Sequence, residues 1–117
     1  MSWPRLLHNP ACTKSRQALA LVHTRFPFVS VHDFVKTPLS RDFMAAMLRS
    51  YAPPHALVRG LSAEEKLKHS QTDLLDILVK EPKRLERPLL LFEDGRVVIG
   101  RPLEVVEKAL REFSDDE

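Results

Sequence analysis

The opening of the chain changes hydrophobic period twice, and few folds accommodate that order. Trp3 to Leu7 is a short apolar stretch stopped by His8-Asn9-Pro10, which reads as a strand running into a turn. Ala18, Leu19, Leu21 and Val22 then recur at helical spacing between Thr13 and about Arg25, and Pro27 closes that helix. Phe28 to Val35 is rich in β-branched and aromatic residues, the composition of a second strand. Strand, helix and strand in that order predict a parallel pair joined by a right-handed crossover.

The rest of the chain extends this start in two steps. Thr37-Pro38 breaks the second strand, and Ser40 is placed to cap a helix carrying Phe43, Met44, Met47 and Leu48. Pro53-Pro54 ends that helix, and Pro54 opens a short helical turn through Ala56, Leu57 and Val58. Ser62-Ala63-Glu64-Glu65 has capping-box spacing and starts a polar, exposed helix. Leu74, Leu75, Ile77 and Leu78 mark a further amphipathic helix ended by Pro82. Pro88 to Phe92 and Arg96 to Ile99 then flank Glu93-Asp94-Gly95, a hairpin signal. After the turn Gly100-Arg101-Pro102, the residues Val105, Val106, Ala109, Leu110 and Phe113 give the last helix. The expected fold is therefore α/β: a four-stranded mixed sheet with helices on its faces, in the thioredoxin-like arrangement. A helical insertion over about residues 40–82 separates the β-α-β half from the β-β-α half. At 117 residues the chain is expected to form one domain, residues 1–117, with a single modest core.

Composition narrows the function classes. Eighteen Lys and Arg against sixteen Asp and Glu leave a net charge of +2, too small to argue for a nucleic-acid partner. Arg5, Lys14, Arg16 and Arg25 precede the first acidic residue, Asp33, a bias that fits either a local anionic ligand or scattered solvated cations. The N-terminus lacks the apolar core of a signal peptide, and no run approaches the length of a membrane span. A single cysteine excludes an internal disulfide and points to no oxidising compartment. The expectation is a cytoplasmic monomer with no membrane partner.

That cysteine lies in HNPACTKSR, at the N-cap or first turn of the first helix. Backbone N–H groups and the positive end of the helix dipole favour the thiolate there, and His8, Lys14 and Arg16 are placed to add positive potential. Lowering a thiol pKa by about two units takes roughly 2.7 kcal/mol. An exposed helix terminus supplies only about 0.3–1 kcal/mol, so further partners are required. A lone cysteine is more often a buried structural residue, but Pro10, the polar Thr13 and the flanking cations argue for a reactive one.

Spacing rejects several chemistries. The arginine of a cysteine-phosphatase loop would fall at Ala18, and the second thiol of a dithiol pair would fall at Ser15. His23, His32, His55 and His69 show no metal spacing with His8 and Cys12 and read as surface residues. Two Arg-Pro pairs stand out, in Glu86-Arg87-Pro88 and Gly100-Arg101-Pro102. Arginine suits tetrahedral oxyanions because its planar fork donates two hydrogen bonds at once; taken singly, each is equally well a loop arginine beside a turn-shaping proline.

Together these segments resemble the glutaredoxin-coupled arsenate reductases, the ArsC-like proteins. The likeness runs through HNPACTKSR, Lys36-Thr37-Pro38, Leu57-Val58-Arg59, Leu85-Glu86-Arg87-Pro88 and Ile99-Gly100-Arg101-Pro102-Leu103-Glu104. It implies that Cys12 attacks arsenate, that Arg59, Arg87 and Arg101 hold the oxyanion, and that His8 supports the thiolate. Thr13, Lys14, Ser15 and Arg16 would form the helix terminus around the sulfur, and Pro88 would be the cis-proline beside it. Glutathione would be the co-substrate and glutaredoxin the partner, with no bound metal or organic cofactor. The segment between Gly60 and Leu74 is shorter than in better-known relatives. Two other readings stay open: a non-catalytic adaptor that binds a protein through its helical insertion, and a glutathione-dependent thiol oxidoreductase acting on another substrate.

Overall fold

Strand pairing joins the two ends of the chain in one sheet of order β2-β1-β3-β4. The computed structural model describes residues 3–115. Its first half contains β1 (Arg5–His8), α1 (Thr13–Arg25) and β2 (Ser30–Asp33). The helical segment follows, with α2 (Arg41–Ser50), a 3-10 turn (Pro54–Leu57), α3 (Ala63–Lys68), α4 (Gln71–Lys80) and a second 3-10 turn (Pro82–Arg84). The last part is β3 (Leu89–Leu91), β4 (Val97–Ile99) and α5 (Leu103–Asp115). β1 runs parallel to β2 and antiparallel to β3, and β3 is antiparallel to β4. This is the mixed α/β architecture expected from the order of the sequence patterns.

Both faces of the sheet are covered. Leu7, Leu89 and Leu91 face a core built with Phe34, Met44, Met47, Leu48, Leu74 and Leu78, largely from α2 and α4. Leu6 and Leu90 face the opposite core, with Ala18 and Val22 of α1 and Val106 and Leu110 of α5. The two central strands are consequently buried along their length. They read as continuous apolar runs for that reason, whereas the edge strand β2 is only partly buried.

The strands are shorter than their apolar stretches, and local hydrogen bonds show why. Val29 N still donates to Phe26 O at 3.1 Å, so Phe28 and Val29 belong to the turn that closes α1. Asp33 Oδ1 accepts from the backbone N–H of Val35 and of Lys36, both at 3.0 Å, and folds the end of the second stretch away from the sheet. In the hairpin, Phe92 N donates to Arg96 O and Gly95 N to Phe92 O, so both flanking residues serve the turn. Gly95 carries a φ of +93° there, a conformation that favours glycine.

Helix starts follow side-chain chemistry. Ser40 caps α2 by accepting from Phe43 N at 3.1 Å. Ser62 and Glu65 form a reciprocal capping box at α3, and Ser70 and Asp73 form a second one at α4. Among the described residues no helix is long and apolar enough to cross a membrane.

Gly100 is needed for closeness rather than for a special dihedral. A Cβ at that position would lie 2.6 Å from Val106 Cγ2, 3.0 Å from Pro88 Cγ and 3.2 Å from the backbone oxygen of Pro88. That same oxygen accepts from Gly100 N at 2.8 Å and ties the end of β4 to the start of β3. Gly100→Ala is expected to destabilise the protein by about 1–3 kcal/mol, the usual cost of forcing extra volume into a packed contact. A urea melt in which the variant keeps the parent midpoint would show that this approach is not a packing constraint.

Candidate functional site

The turn after β1 is built from its own side chains. Asn9, 4% exposed, accepts from Ala11 N through Oδ1 at 3.0 Å, and its backbone oxygen accepts from Cys12 N at 3.0 Å. Ser15, fully buried in the first turn of α1, accepts from Asn9 N through Oγ at 2.9 Å. The same hydroxyl is hydrogen-bonded to His8 Nδ1 at 2.7 Å. These contacts fix the chain on both sides of Cys12, which occupies the N-cap of α1 in an extended conformation and is half-buried.

Two Arg-Pro segments close over the thiol from the other half of the sheet. Arg101 Nη2 donates to Cys12 Sγ at 3.3 Å, across 89 positions of sequence. Its Nε donates to the backbone oxygen of Arg87 at 2.8 Å. The Arg87–Pro88 and Arg101–Pro102 peptides are both cis. Arg87 Nη1 donates to Lys83 O at 2.6 Å, while its buried Nε has no hydrogen-bond partner. Arg59 is held by backbone exchange with Arg84, its N donating to Arg84 O at 2.7 Å and its O accepting from Arg84 Nε at 2.9 Å. Its own Nε lies 3.9 Å from Glu86 Oε1.

Electrostatics at the sulfur are a balance of opposed effects. Burial pushes the Cys12 thiol up, but the backbone N–H of Ser15, the Arg87 guanidinium, the backbone N–H of Lys14 and the charge of Arg101 together bring it below the ordinary thiol value. The helix terminus therefore acts through two amides and is completed by two distant arginines. His8 behaves differently. Burial lowers its pKa most, opposed by the Asp33 charge and the Ser15 hydrogen bond, while His23 and Arg16 lower it further. Because its pKa is lowered, the expectation that His8 adds positive potential gives way to a hydrogen-bonding role through Ser15.

Other expectations are also corrected by contacts. Lys14 acts through its backbone, and Arg16 turns to Pro10 O at 2.9 Å and Thr13 Oγ1 at 3.2 Å, bracing the outside of the turn. Arg5 is buried against Trp3 and Phe43, and Arg25 pairs with Glu107 at 3.0 Å, so two of the four early cations serve packing elsewhere. Among the histidines expected at the surface, His32, His55 and His69 are partly buried. His32 Nε2 is bonded to Thr37 O at 2.6 Å, and His55 Nδ1 is buried without a partner. Among the described residues no group of three or more His, Cys, Asp or Glu side chains is placed to hold a metal ion.

Glu86 is the site residue that sequence reasoning passed over. Its Oε1 lies 3.6 Å from Arg101 Nε and 3.9 Å from Arg59 Nε, and accepts from Arg87 N at 3.0 Å. The only local signal was an acid next to an Arg-Pro pair, which says nothing about residues far along the chain.

Comparison with known proteins identifies the family. Residues 7–109 match the ArsC family. An arsenate reductase of Neisseria meningitidis serogroup A is 33% identical over 114 residues, covering 91% of this chain and 97% of that protein. An uncharacterised protein from the glnII region of Streptomyces viridochromogenes is 30% identical over 112 residues, covering 87% and 94%. The solved structure of an arsenate reductase from Vibrio cholerae superimposes with a TM-score of 0.72 at 25% identity, covering 90% of this chain and 97% of that one.

The pH dependence of the thiol follows from these contacts. The lowered pKa means that thiolate is present at lower pH than in a free cysteine, so iodoacetamide alkylation should reach half its plateau rate below pH of about 8.5. Arg101→Gln, which removes a favourable charge, should move that midpoint up, and Arg16→Gln should leave it in place. A parent midpoint at or above the free-thiol value would show that burial outweighs the donors.

Proposed function

The chain belongs to the ArsC family, the family of arsenate reductases, and on that premise we propose that it reduces arsenate to arsenite through Cys12 with glutathione as co-substrate. The observation that carries this reading is the approach of Arg101 Nη2 to Cys12 Sγ at 3.3 Å. A nucleophilic sulfur and a forked cation at one point can hold an oxyanion's oxygen and attack its central atom together. The buried, unpartnered Arg87 Nε supports it further, because a buried donor without an acceptor is rare unless a ligand supplies one.

In this mechanism Arg59, Arg87 and Arg101 neutralise the arsenate oxygens while the Cys12 thiolate attacks arsenic(V) and expels hydroxide or water. Glutathione thiolate then attacks the Cys12 sulfur of the adduct. The sulfur–arsenic bond breaks, its electron pair leaves with arsenic, and arsenite departs as the two sulfurs become a mixed disulfide. Those two sulfurs each supply one of the two electrons. A glutaredoxin thiol removes glutathione from Cys12 by exchange and restores the thiol.

An external thiol is required because the chain holds one cysteine. Position 15 cannot serve in its place: a hydroxyl forms no disulfide, and the Ser15 hydroxyl is engaged by His8 and Asn9. His8, tied to that hydroxyl, holds the turn in shape. A groove of about 650 Å³ between α1 and the start of α5 runs from Lys14 past Gln17 and Leu21 to Pro102. Its lining carries one charge of each sign, Lys14 and Glu104, which suit a carboxylate and the ammonium group of glutathione.

Turnover of arsenate should need glutathione, rise with added glutaredoxin and disappear in Cys12→Ser. Withholding glutaredoxin should trap one glutathionyl group on Cys12, detectable by intact mass. Arg101→Lys keeps the charge but loses the fork, and its kcat/KM should fall at least about tenfold, ~1.4 kcal/mol. Sustained turnover with thioredoxin as sole reductant and no adduct on Cys12 would refute the cycle.

A further inference from the structure

Arg59 and Arg101 carry like charge in a site without a ligand, yet their guanidinium groups approach a common point. That point is a single oxygen. Glu86 Oε1 is 3.6 Å from Arg101 Nε, 3.9 Å from Arg59 Nε and 3.0 Å from the backbone N–H of Arg87. The carboxylate approaches both guanidinium groups from the Nε side. On Arg101 this leaves Nη2 directed at the sulfur. Glu86 is itself held in place, its backbone N donating to Leu57 O at 2.8 Å, and its side chain is 22% exposed.

Resting on the oxyanion-binding reading above, we infer that Glu86 is the built-in counter-anion of this site. It holds Arg59 and Arg101 together before an oxyanion arrives and competes with that oxyanion for their charge. Two consequences oppose each other. Holding the guanidinium groups in place favours binding, whereas a carboxylate beside the ligand disfavours any anion. Charge is the larger effect, because an oxyanion carrying two charges feels the carboxylate twice over, while Arg101 keeps its anchor on Arg87 O without it. Glu86 thus limits how tightly abundant inorganic anions occupy the site.

The test measures protection of Cys12 from iodoacetamide by arsenate and, separately, by inorganic phosphate, at constant ionic strength. Each protein's rate is normalised to its own rate without anion. Glu86→Gln keeps the shape and the acceptor for Arg87 N but removes the charge, and its half-protecting concentration should fall by about fivefold or more for both anions. Glu86→Asp keeps the charge and should stay closer to the parent than Glu86→Gln does. A gain in affinity cannot come from structural damage, which weakens binding. If the parent is protected and Glu86→Gln is protected no better, or worse, Glu86 is a scaffold residue and the inference is overturned while the oxyanion site stands. If neither anion protects any of the three proteins, the oxyanion site itself falls and the inference falls with it.

Discussion

The antiparallel pairing of β1 with β3 is the constraint on which the site depends. Leu6, Leu7, Leu89 and Leu90 are fully buried, and successive residues on each strand face opposite cores. Each such burial contributes on the order of 1.5–3 kcal/mol. A slip of one residue would exchange the two faces of either strand, so the packing allows one register. In that register Leu7 pairs with Leu89, and Leu89 pairs in turn with Ile99. The residues that follow Leu7, precede Leu89 and follow Ile99 must then meet at one end of the sheet. They are the thiol turn, the Arg87–Pro88 pair and the Gly100–Arg101 pair.

Once these three segments meet, their polar groups have to be reconciled. The thiolate attracts Arg101 and is favoured by Arg87, and both partly buried guanidinium groups need partners. Backbone carbonyls of Lys83 and Arg87 take part of that role, and Glu86 takes another part. Like charges gathered at one end of the sheet repel one another. The Glu86 carboxylate, near Arg59 and Arg101, offsets this without occupying the face of Arg101 that meets the sulfur.

The division of labour around Cys12 follows from which donors are already engaged. Ser15 is committed to Asn9 and His8, and Arg16 to Pro10 and Thr13, so none of their side chains competes for the sulfur. What remains directed at it is the pair of backbone N–H groups at the helix terminus and the two arginines from the other half of the fold. Burial alone would make this an inert thiol; the long-range guanidinium groups help to turn the balance. The helix terminus and the sheet register are in this sense parts of one device.

The sequence by itself determined the elements and their order. Apolar spacing, proline punctuation and serine caps act within a few residues, so α1, α2, α4 and the hairpin could be read from their own segments, and with them the mixed sheet. The place of Cys12 at a helix start was legible for the same reason. Strand limits at Phe28 and Val35 were not, since the turn hydrogen bonds to Phe26 and Asp33 compete with the sheet and win only in the folded geometry. The fates of Arg5, His8 and His55 were hidden as well, because burial decides them. So was Glu86, whose partners Arg59 and Arg101 are brought to it by the folded chain. Local patterns encode which element forms; which side chains share a point in space is decided by the register of two buried strands, and no single segment contains that information.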